Sequence, residues 1–292
     1  MHVPVLTEKI LEYLNPQPNE NFVDCTAGGG GHTFAIAERI APKGKLLALD
    51  WDPETCKNLR EEIRARKLQH RVLLENESYA HLTEAVQKQK LHPIAGIIFD
   101  LGLSSDQLES RGRGFSFLKD EPLDMRYSPS NPVSAEKLLH YSSKAQLEEI
   151  FKKYGEEEFA EQIAQAIVQN RGQRNLKRTA QLVSIIEEAT PKWYHRKKIH
   201  PATKSFQALR IAVNNELENL REGLMQAKDL LGPQGKIAVI SFHSLEDRTV
   251  KEFFKQELSL QQVTKKPIVA SFIETKKNPR ARSAKLRVAI KQ

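Results

Sequence analysis

The sequence predicts an α/β protein: an open, mostly parallel sheet wound on both faces by helices and interrupted by a helical insertion. Three observations carry this. Short apolar runs alternate with helical stretches through the first hundred residues, the pattern of a parallel sheet covered on both sides. A glycine-rich turn follows the first run, at the edge where an open sheet of this kind takes a ligand. Strand signals then vanish between about 106 and 200 and resume beyond it.

Each element has its own signal. Phe22-Val-Asp-Cys-Thr26 is a short buried strand, Gly28 to Gly31 turn the chain, and Thr33 to Ile40 form a helix that stops near Pro42. Lys45 to Asp50 is the second strand. Asp52 before Pro53 gives an N-cap with proline at the first helical position, and that helix runs to about Lys67. Arg71 to Glu75 is the third strand, a helix follows from about Tyr79 to Lys90, and Ile94 to Asp100 is a wholly apolar fourth strand ending in an acid. In the insertion, Ser143 and Gln146 make a capping box for a helix carrying Leu147, Ile150, Phe151 and Tyr154 and ended by Gly155. A second helix carries Phe159, Ile163, Ala166 and Ile167. A third, with Thr179 as its cap, carries Leu182, Ile185, Ile186 and Ala189 before Pro191 stops it. Phe206 to Leu224 then read as one face of a long helix and Lys236 to Phe242 as a strand. Ser244 and Asp247 cap a helix with Val250, Phe253 and Phe254, and 268–274 and 286–290 read as closing strands. The expected division is 1–105 and 201–292 for the sheet domain and 106–200 for the insertion.

Composition narrows the class. With 292 residues, 39% hydrophobic and 28% charged, the chain buries an ordinary core. No apolar run reaches the length of a membrane span, and Glu8, Lys9 and Glu12 break up any secretory leader. Two cysteines, Cys25 and Cys56, suggest neither a disulfide framework nor a zinc site, so a reducing cytoplasm is the expected location and no metal is expected. The net charge of +8 is concentrated in two stretches. One holds Arg171, Arg174, Lys177, Arg178, Lys192, Arg196, Lys197, Lys198 and Lys204; the other holds Lys276, Lys277, Arg280, Arg282, Lys285, Arg287 and Lys291. Either alone reads equally as a solvated face; two together favour a nucleic-acid surface.

The turn Asp24-Cys-Thr-Ala-Gly28-Gly-Gly30-Gly31-His32 carries the chemistry. An acid four residues before the first glycine would repel a pyrophosphate, and Thr33 stands where a dinucleotide motif has its third glycine. Both details argue against a nicotinamide cofactor and suit a ligand with cationic centres, such as S-adenosylmethionine. Asp50, 22 residues past Gly28 at the end of the second strand, is placed to accept ribose hydroxyls. Asp24 and Asp50 could equally cap the turns they sit in. Tyr79 has two readings, stacking on an adenine or closing the core. Asp100 stands at the sheet edge where chemistry belongs, and Asp106 and Gln107 follow in a loop.

With these motifs in view, the chain resembles the bacterial ribosomal RNA small-subunit methyltransferase H (MraW) family. The matching segments run in family order over nearly the whole chain. They are His2 to Leu6, Asp24 to His32, Asp100 to Ser105, Arg113 to Phe117, Pro122 to Arg126, Tyr154 to Glu157, His200 to Thr203, Phe206 to Arg210, Ser241 to Arg248 and Asn278 to Ser283. Trp51, after Asp50, and a short segment between about Leu258 and Lys276 depart from it. The resemblance implies a class I, Rossmann-like S-adenosylmethionine-dependent sheet. It also implies N4-methylation of a cytidine in the decoding centre of 16S ribosomal RNA within the small ribosomal subunit, with the insertion as the RNA-recognition domain. The implied cofactor contacts are Gly30, Gly31, His32, Asp50, Tyr79, Asp100 and Gln107.

Cytosine's exocyclic amine is a poor nucleophile, so an acceptor beside it is needed, and Asp100 is the candidate. His243 and Glu246 reach the same sheet edge after the fifth strand, with a structural role for His243 the stronger reading. Asp124 and Arg126 could hold a base or phosphate or pair with each other. Phe115, Phe117, Trp193 and Tyr194 are candidate stacking partners that helix packing explains nearly as well. The alternatives are a methyltransferase of another RNA or DNA base and a non-catalytic RNA-binding assembly factor.

Overall fold

The computed structural model describes residues 4–103, 107, 112–172 and 175–292. The chain divides into two compact units, Met1–Gly102 with Leu217–Gln292, and Leu103–Glu216. No helix among the described residues is long and apolar enough to cross a membrane.

The first unit is a sheet of eight strands. In chain order its elements are α1 (Thr7–Leu14), β1 (Phe22–Asp24), α2 (Gly31–Arg39), β2 (Leu46–Leu49), α3 (Pro53–Ala65), β3 (Val72–Glu75), a 3-10 turn (Tyr79–His81), α4 (Leu82–Gln89) and β4 (Ile94–Asp100). The strands run in the order β3-β2-β1-β4-β5-β8-β6, with β7 also on β8. The first five, through β5 (Leu231–Ser241), are parallel. The strand β8 (Lys285–Lys291) is antiparallel to β5 and to β6 (Leu260–Gln262). This is the class I methyltransferase sheet that the sequence predicts. In register, Val23 lies beside Leu47 and Ile97, so the wholly apolar strands face hydrophobic layers on both sides. On one face α1, α2 and α3 contribute Ile10, Leu14, Ile36, Ile40, Leu59 and Ile63. On the other, α4 gives Leu82 and Val86, while Leu220, Leu224, Val250 and Phe254 come from the later helices α10 and α11.

The second unit is helical: α5 (Ala135–Tyr141), α6 (Lys144–Gly155), α7 (Ala160–Asn170), α8 (Thr179–Ala189), a 3-10 turn (Tyr194–Arg196) and α9 (Ala202–Asn214). They surround one core that includes Leu147, Phe151, Ile163, Ile167, Leu182, Ile186 and Leu209. The Ser143–Gln146 capping box is present.

Five expectations are corrected. The long helix from Phe206 to Leu224 is two. Asn215 takes a left-handed conformation at φ 50° and ends α9, and α10 (Glu216–Leu230) begins at once. The insertion therefore takes in α9, which belongs to the unit ending at Glu216 rather than to the sheet. Thr179 does not cap α8. Its hydroxyl donates to the Lys119 carbonyl (2.7 Å), and Gln181 Oε1 instead accepts from the backbone of Lys177 and Arg178. The cap of α11 (Ser244–Gln256) is not Ser244 with Asp247 but His243 with Glu246, one residue earlier. The run 268–274 is not a strand: only Ile268–Val269 pair, as β7, and Ser271 caps a short helix α12 (Phe272–Lys277), followed by a 3-10 turn over Pro279–Ser283.

Candidate active site

The glycine turn hangs from the strands on either side of β1. The amide of Cys25 donates to Ile98 O (2.9 Å) and that of Ala27 to Leu49 O (2.8 Å). Gly28 and Gly30 sit at φ 50° and 81°, left-handed conformations that glycine adopts without a steric penalty. At Gly30 a Cβ would also lie 2.4 Å from the Phe34 ring and 2.7 Å from Leu59. At Gly31 it would lie 2.6 Å from Pro4, so the His2 to Leu6 motif supplies the floor beneath the turn.

Asp50, at the end of β2, holds the turn from the side. Its Oδ2 accepts the Gly28 amide (2.9 Å) and its Oδ1 the Asp52 amide (2.9 Å). Each oxygen keeps a second acceptor direction, as a pair of ribose hydroxyls requires. Burial pushes this carboxyl up to about 6, and the two backbone donors offset the penalty only in part. Asp52 is the N-cap of α3 and accepts from the Glu54 amide (3.0 Å), as the Asp-Pro pair predicts. Asp24 is fully buried and is a strut. One oxygen takes the Thr33 hydroxyl (2.7 Å) and the other the Thr26 amide (3.1 Å). Thr33 therefore replaces the third glycine of a dinucleotide motif because it ties the helix to the strand end.

Beside this strut, His32 lies at the start of α2 with its Nε2 3.4 Å from Asp100 Oδ2. His32 is 4% exposed, and neither ring nitrogen nor Asp100 Oδ1 has a hydrogen-bond partner among the described residues. Burial disfavours the imidazolium, but Asp100 and Asp24 together outweigh it and raise the His32 pKa. The Asp100 amide donates to Thr26 Oγ1 (2.6 Å), which locks the end of β4 to the turn. Thr26 and Pro4 are supports that sequence reasoning missed. Both lie inside recognised motifs, but their contacts are made at long range. Three carboxylates and one imidazole on one strand edge suit a ligand bearing a sulfonium and an ammonium, and the orphaned atoms suit its polar groups. The residues present therefore fit S-adenosylmethionine.

Of the remaining candidates, Tyr79 opens the 3-10 turn after β3 and sets its ring edge-on to Phe99, at 5.6 Å between centroids. Gly223 of α10 lies against that ring. The sheet thus brings Gly30, Gly31, His32, Asp50, Tyr79 and Asp100 to one edge. Gln107 is buried and belongs to the second unit; Asp106 and Arg174 lie outside the described residues. Asp124 and Arg126 pair with each other through two 2.8 Å bonds, and Arg126 also holds the Asn131 carbonyl. His243 is structural: its Nδ1 accepts the Glu246 amide, while the Glu246 carboxylate accepts those of Phe242 and His243. Asp247 reaches β8 and pairs with Arg287 (2.6 Å) and Lys285 (3.3 Å). The Ser241 to Arg248 motif is thus largely a strand–helix joint. Phe115 is buried and stacked on Tyr127, and Phe117 is stacked on His200. Tyr194 is buried as well, and Trp193 alone of the four is exposed.

The sequence matches the MraW methylase family over residues 1–292. The chain belongs to this family. Among curated relatives, the ribosomal RNA small subunit methyltransferase H of Thermosipho melanesiensis is 46% identical over 289 residues, covering 99% of this chain and 97% of its own. The protein of the same name from Heliobacterium modesticaldum is 41% identical over 309 residues, covering 99% and 98%. A solved methyltransferase from Streptococcus mutans in complex with SAH is 12% identical, with both chains fully covered and a TM-score of 0.49.

Proposed function

We propose that this MraW-family protein methylates the N4 amine of a cytidine in the decoding centre of 16S ribosomal RNA, acting on the small ribosomal subunit in the cytoplasm. The observation that carries the reading is the unsatisfied pair of His32 and Asp100 beside a glycine turn already gripped by Asp50. Bound S-adenosylmethionine supplies an electrophilic methyl group that needs position more than activation. Gly30 and Gly31 let that ligand approach the backbone, Asp50 accepts its ribose hydroxyls, and Tyr79 borders the adenine. His32, held in its charged form by Asp24 and Asp100, faces an anionic group. Gln107 completes the set of contacts.

The amine of cytosine shares its lone pair with the ring. An acceptor that takes one of its hydrogens returns electron density to nitrogen and then holds the departing proton. Asp100 Oδ1, buried and without a partner among the described residues, is the acceptor we assign. The segment Leu103–Glu216 carries RNA recognition, in keeping with its basic stretch and with the printed names of the relatives.

The test is transfer of labelled methyl from S-adenosylmethionine to small subunits lacking the modification, with nucleoside analysis of the product. N4-methylcytidine at one site supports the reading. A different modified base overturns the assignment of the amine. No transfer to any RNA, with cofactor binding intact, overturns the substrate. In the same assay Asp100→Asn with wild-type turnover removes Asp100 from the acceptor role.

A further inference from the structure

Of the basic residues between Glu188 and Glu216, half are occupied within the fold. Lys197 pairs with Glu158 (3.0 Å), Arg210 pairs with Glu216 (2.8 Å), and Lys204 Nζ donates to the Glu156 carbonyl (2.8 Å). Lys192, Arg196 and Lys198 are exposed and form no ion pair among the described residues. No acid lies anywhere between Glu188 and Glu216. A merely solvated face carries both signs; this one does not.

Within the same stretch the chain builds a fixed aromatic ledge. Pro191 stops α8 and its carbonyl accepts the Tyr194 amide (2.8 Å), starting the 3-10 turn. Tyr194 is buried and its hydroxyl donates to the Glu157 carboxylate at 2.9–3.0 Å, which pins the turn to the unit. Trp193 is then held on the surface, edge-on to Phe159 and to Tyr194, with the Lys197 ammonium 4.9 Å from the ring centre. It remains 52% exposed, and Ile199 beside the cations is 58% exposed. An exposed tryptophan costs hydrophobic free energy unless something covers it. Here its rotamer is already fixed, so the entropy of ordering is largely spent before a ligand arrives.

We infer that Trp193 is a stacking platform for an unpaired base of RNA, with Lys192, Arg196 and Lys198 meeting the phosphates on either side. This rests on the proposed ribosomal RNA substrate and deepens it by naming where a single-stranded segment lies on Leu103–Glu216. An aromatic face ringed by cations of one sign binds single strands by stacking and charge, and it tolerates any base. A duplex offers no free base face to such a ledge.

The test compares wild type, Trp193→Ala, Trp193→Phe and Arg196→Ala/Lys198→Ala on unmodified small subunits and on a single-stranded RNA of mixed sequence, with cofactor affinity measured in parallel. Trp193→Ala is expected to raise KM for the subunit about tenfold and to weaken the oligonucleotide comparably, with kcat and cofactor affinity unchanged. Trp193→Phe recovers most of the loss. The double alanine variant lowers the slope of log affinity against log salt by about two, near one per lost phosphate contact. An unchanged KM for Trp193→Ala overturns the inference. A raised subunit KM with unchanged oligonucleotide binding also overturns it, and hands the ledge to a ribosomal protein. If wild type itself does not methylate the subunit, the substrate assignment fails, and oligonucleotide binding still decides the ledge.

Discussion

Asp50 joins a cost in stability to a gain in binding, and the two separate cleanly with pH. Its carboxyl titrates near 3.8 when exposed and is pushed up to about 6 by burial in the folded protein. A carboxyl raised on folding favours the folded state only while protonated. Its contribution is fully present below about pH 3.8 and is lost as pH rises through 6. The whole span is about 2.2 pH units, or about 3 kcal/mol at 1.36 kcal/mol per unit. About 1.4 kcal/mol of it falls between about pH 5 and pH 7.5, once both titration curves are summed. Asp50→Asn cannot ionise and lacks this term, although it places an amide against one of the two backbone donors. Urea unfolding of both proteins across that window should therefore show wild type losing about 1.4 kcal/mol relative to the variant as pH rises, whatever their offset. Binding runs the other way. Ribose hydroxyls need the ionised acceptor, so wild-type affinity for S-adenosylmethionine should fall toward tenfold per unit below about pH 6. Asp50→Asn should bind weakly at every pH. A stability difference flat across the window would refute the buried-carboxylate argument. Pronounced pH dependence of binding in the variant would refute the role in ribose recognition.

Other expectations follow from single contacts. Removing Arg287 leaves Asp247 with less than full compensation behind β8, so Arg287→Ala should cost about 3 kcal/mol in denaturant unfolding, and Asp247→Leu with Arg287→Met much less. Arg287 holds the Asp247 carboxyl below its usual range against the opposing effect of burial. The stability it brings should accordingly persist at neutral pH and disappear only as pH falls below the ordinary carboxylate value. Gly30→Ala must accept a left-handed backbone and a collision with Phe34, so calorimetry should show cofactor binding lost and thermal stability reduced. At Asn215, glycine should be neutral or stabilising in thermal unfolding, whereas valine should cost about 1–2 kcal/mol in the left-handed conformation.

Much of the sheet was legible because its signals are local. Wholly apolar runs such as Ile94 to Phe99 mark strands covered on both faces, and Asp52-Pro53 and Ser143 with Gln146 announce helix starts by spacing alone. Asn215 escaped because the hydrophobic spacing from Phe206 to Leu224 keeps helical phase through the break. The α11 cap was misplaced by one residue. Ser244 is the usual capping type, while an imidazole accepting a backbone amide is not read from composition. The apolar run after Ile268 looks like a strand until Ser271 captures the Glu274 amide. At the site, Asp50 was readable from its distance to Gly28. The Thr26 contact to Asp100 spans 74 positions, and no spacing rule reaches it.

The pairing of β4 with β5 has a kinetic consequence. These neighbours share the longest ladder in the parallel sheet, yet 130 positions separate Asp100 from the start of β5, and all of unit Leu103–Glu216 lies between. While that intervening chain is unfolded, bringing the two strands together carries a loop entropy on the order of 4 kcal/mol. Inside the insertion the pairings are shorter: α6 packs on α7 and α7 on α8. The helices should then gain amide protection in pulsed hydrogen exchange during refolding before the β4–β5 ladder does. The sheet edge that presents Asp100 would thus be among the last parts of the molecule to form.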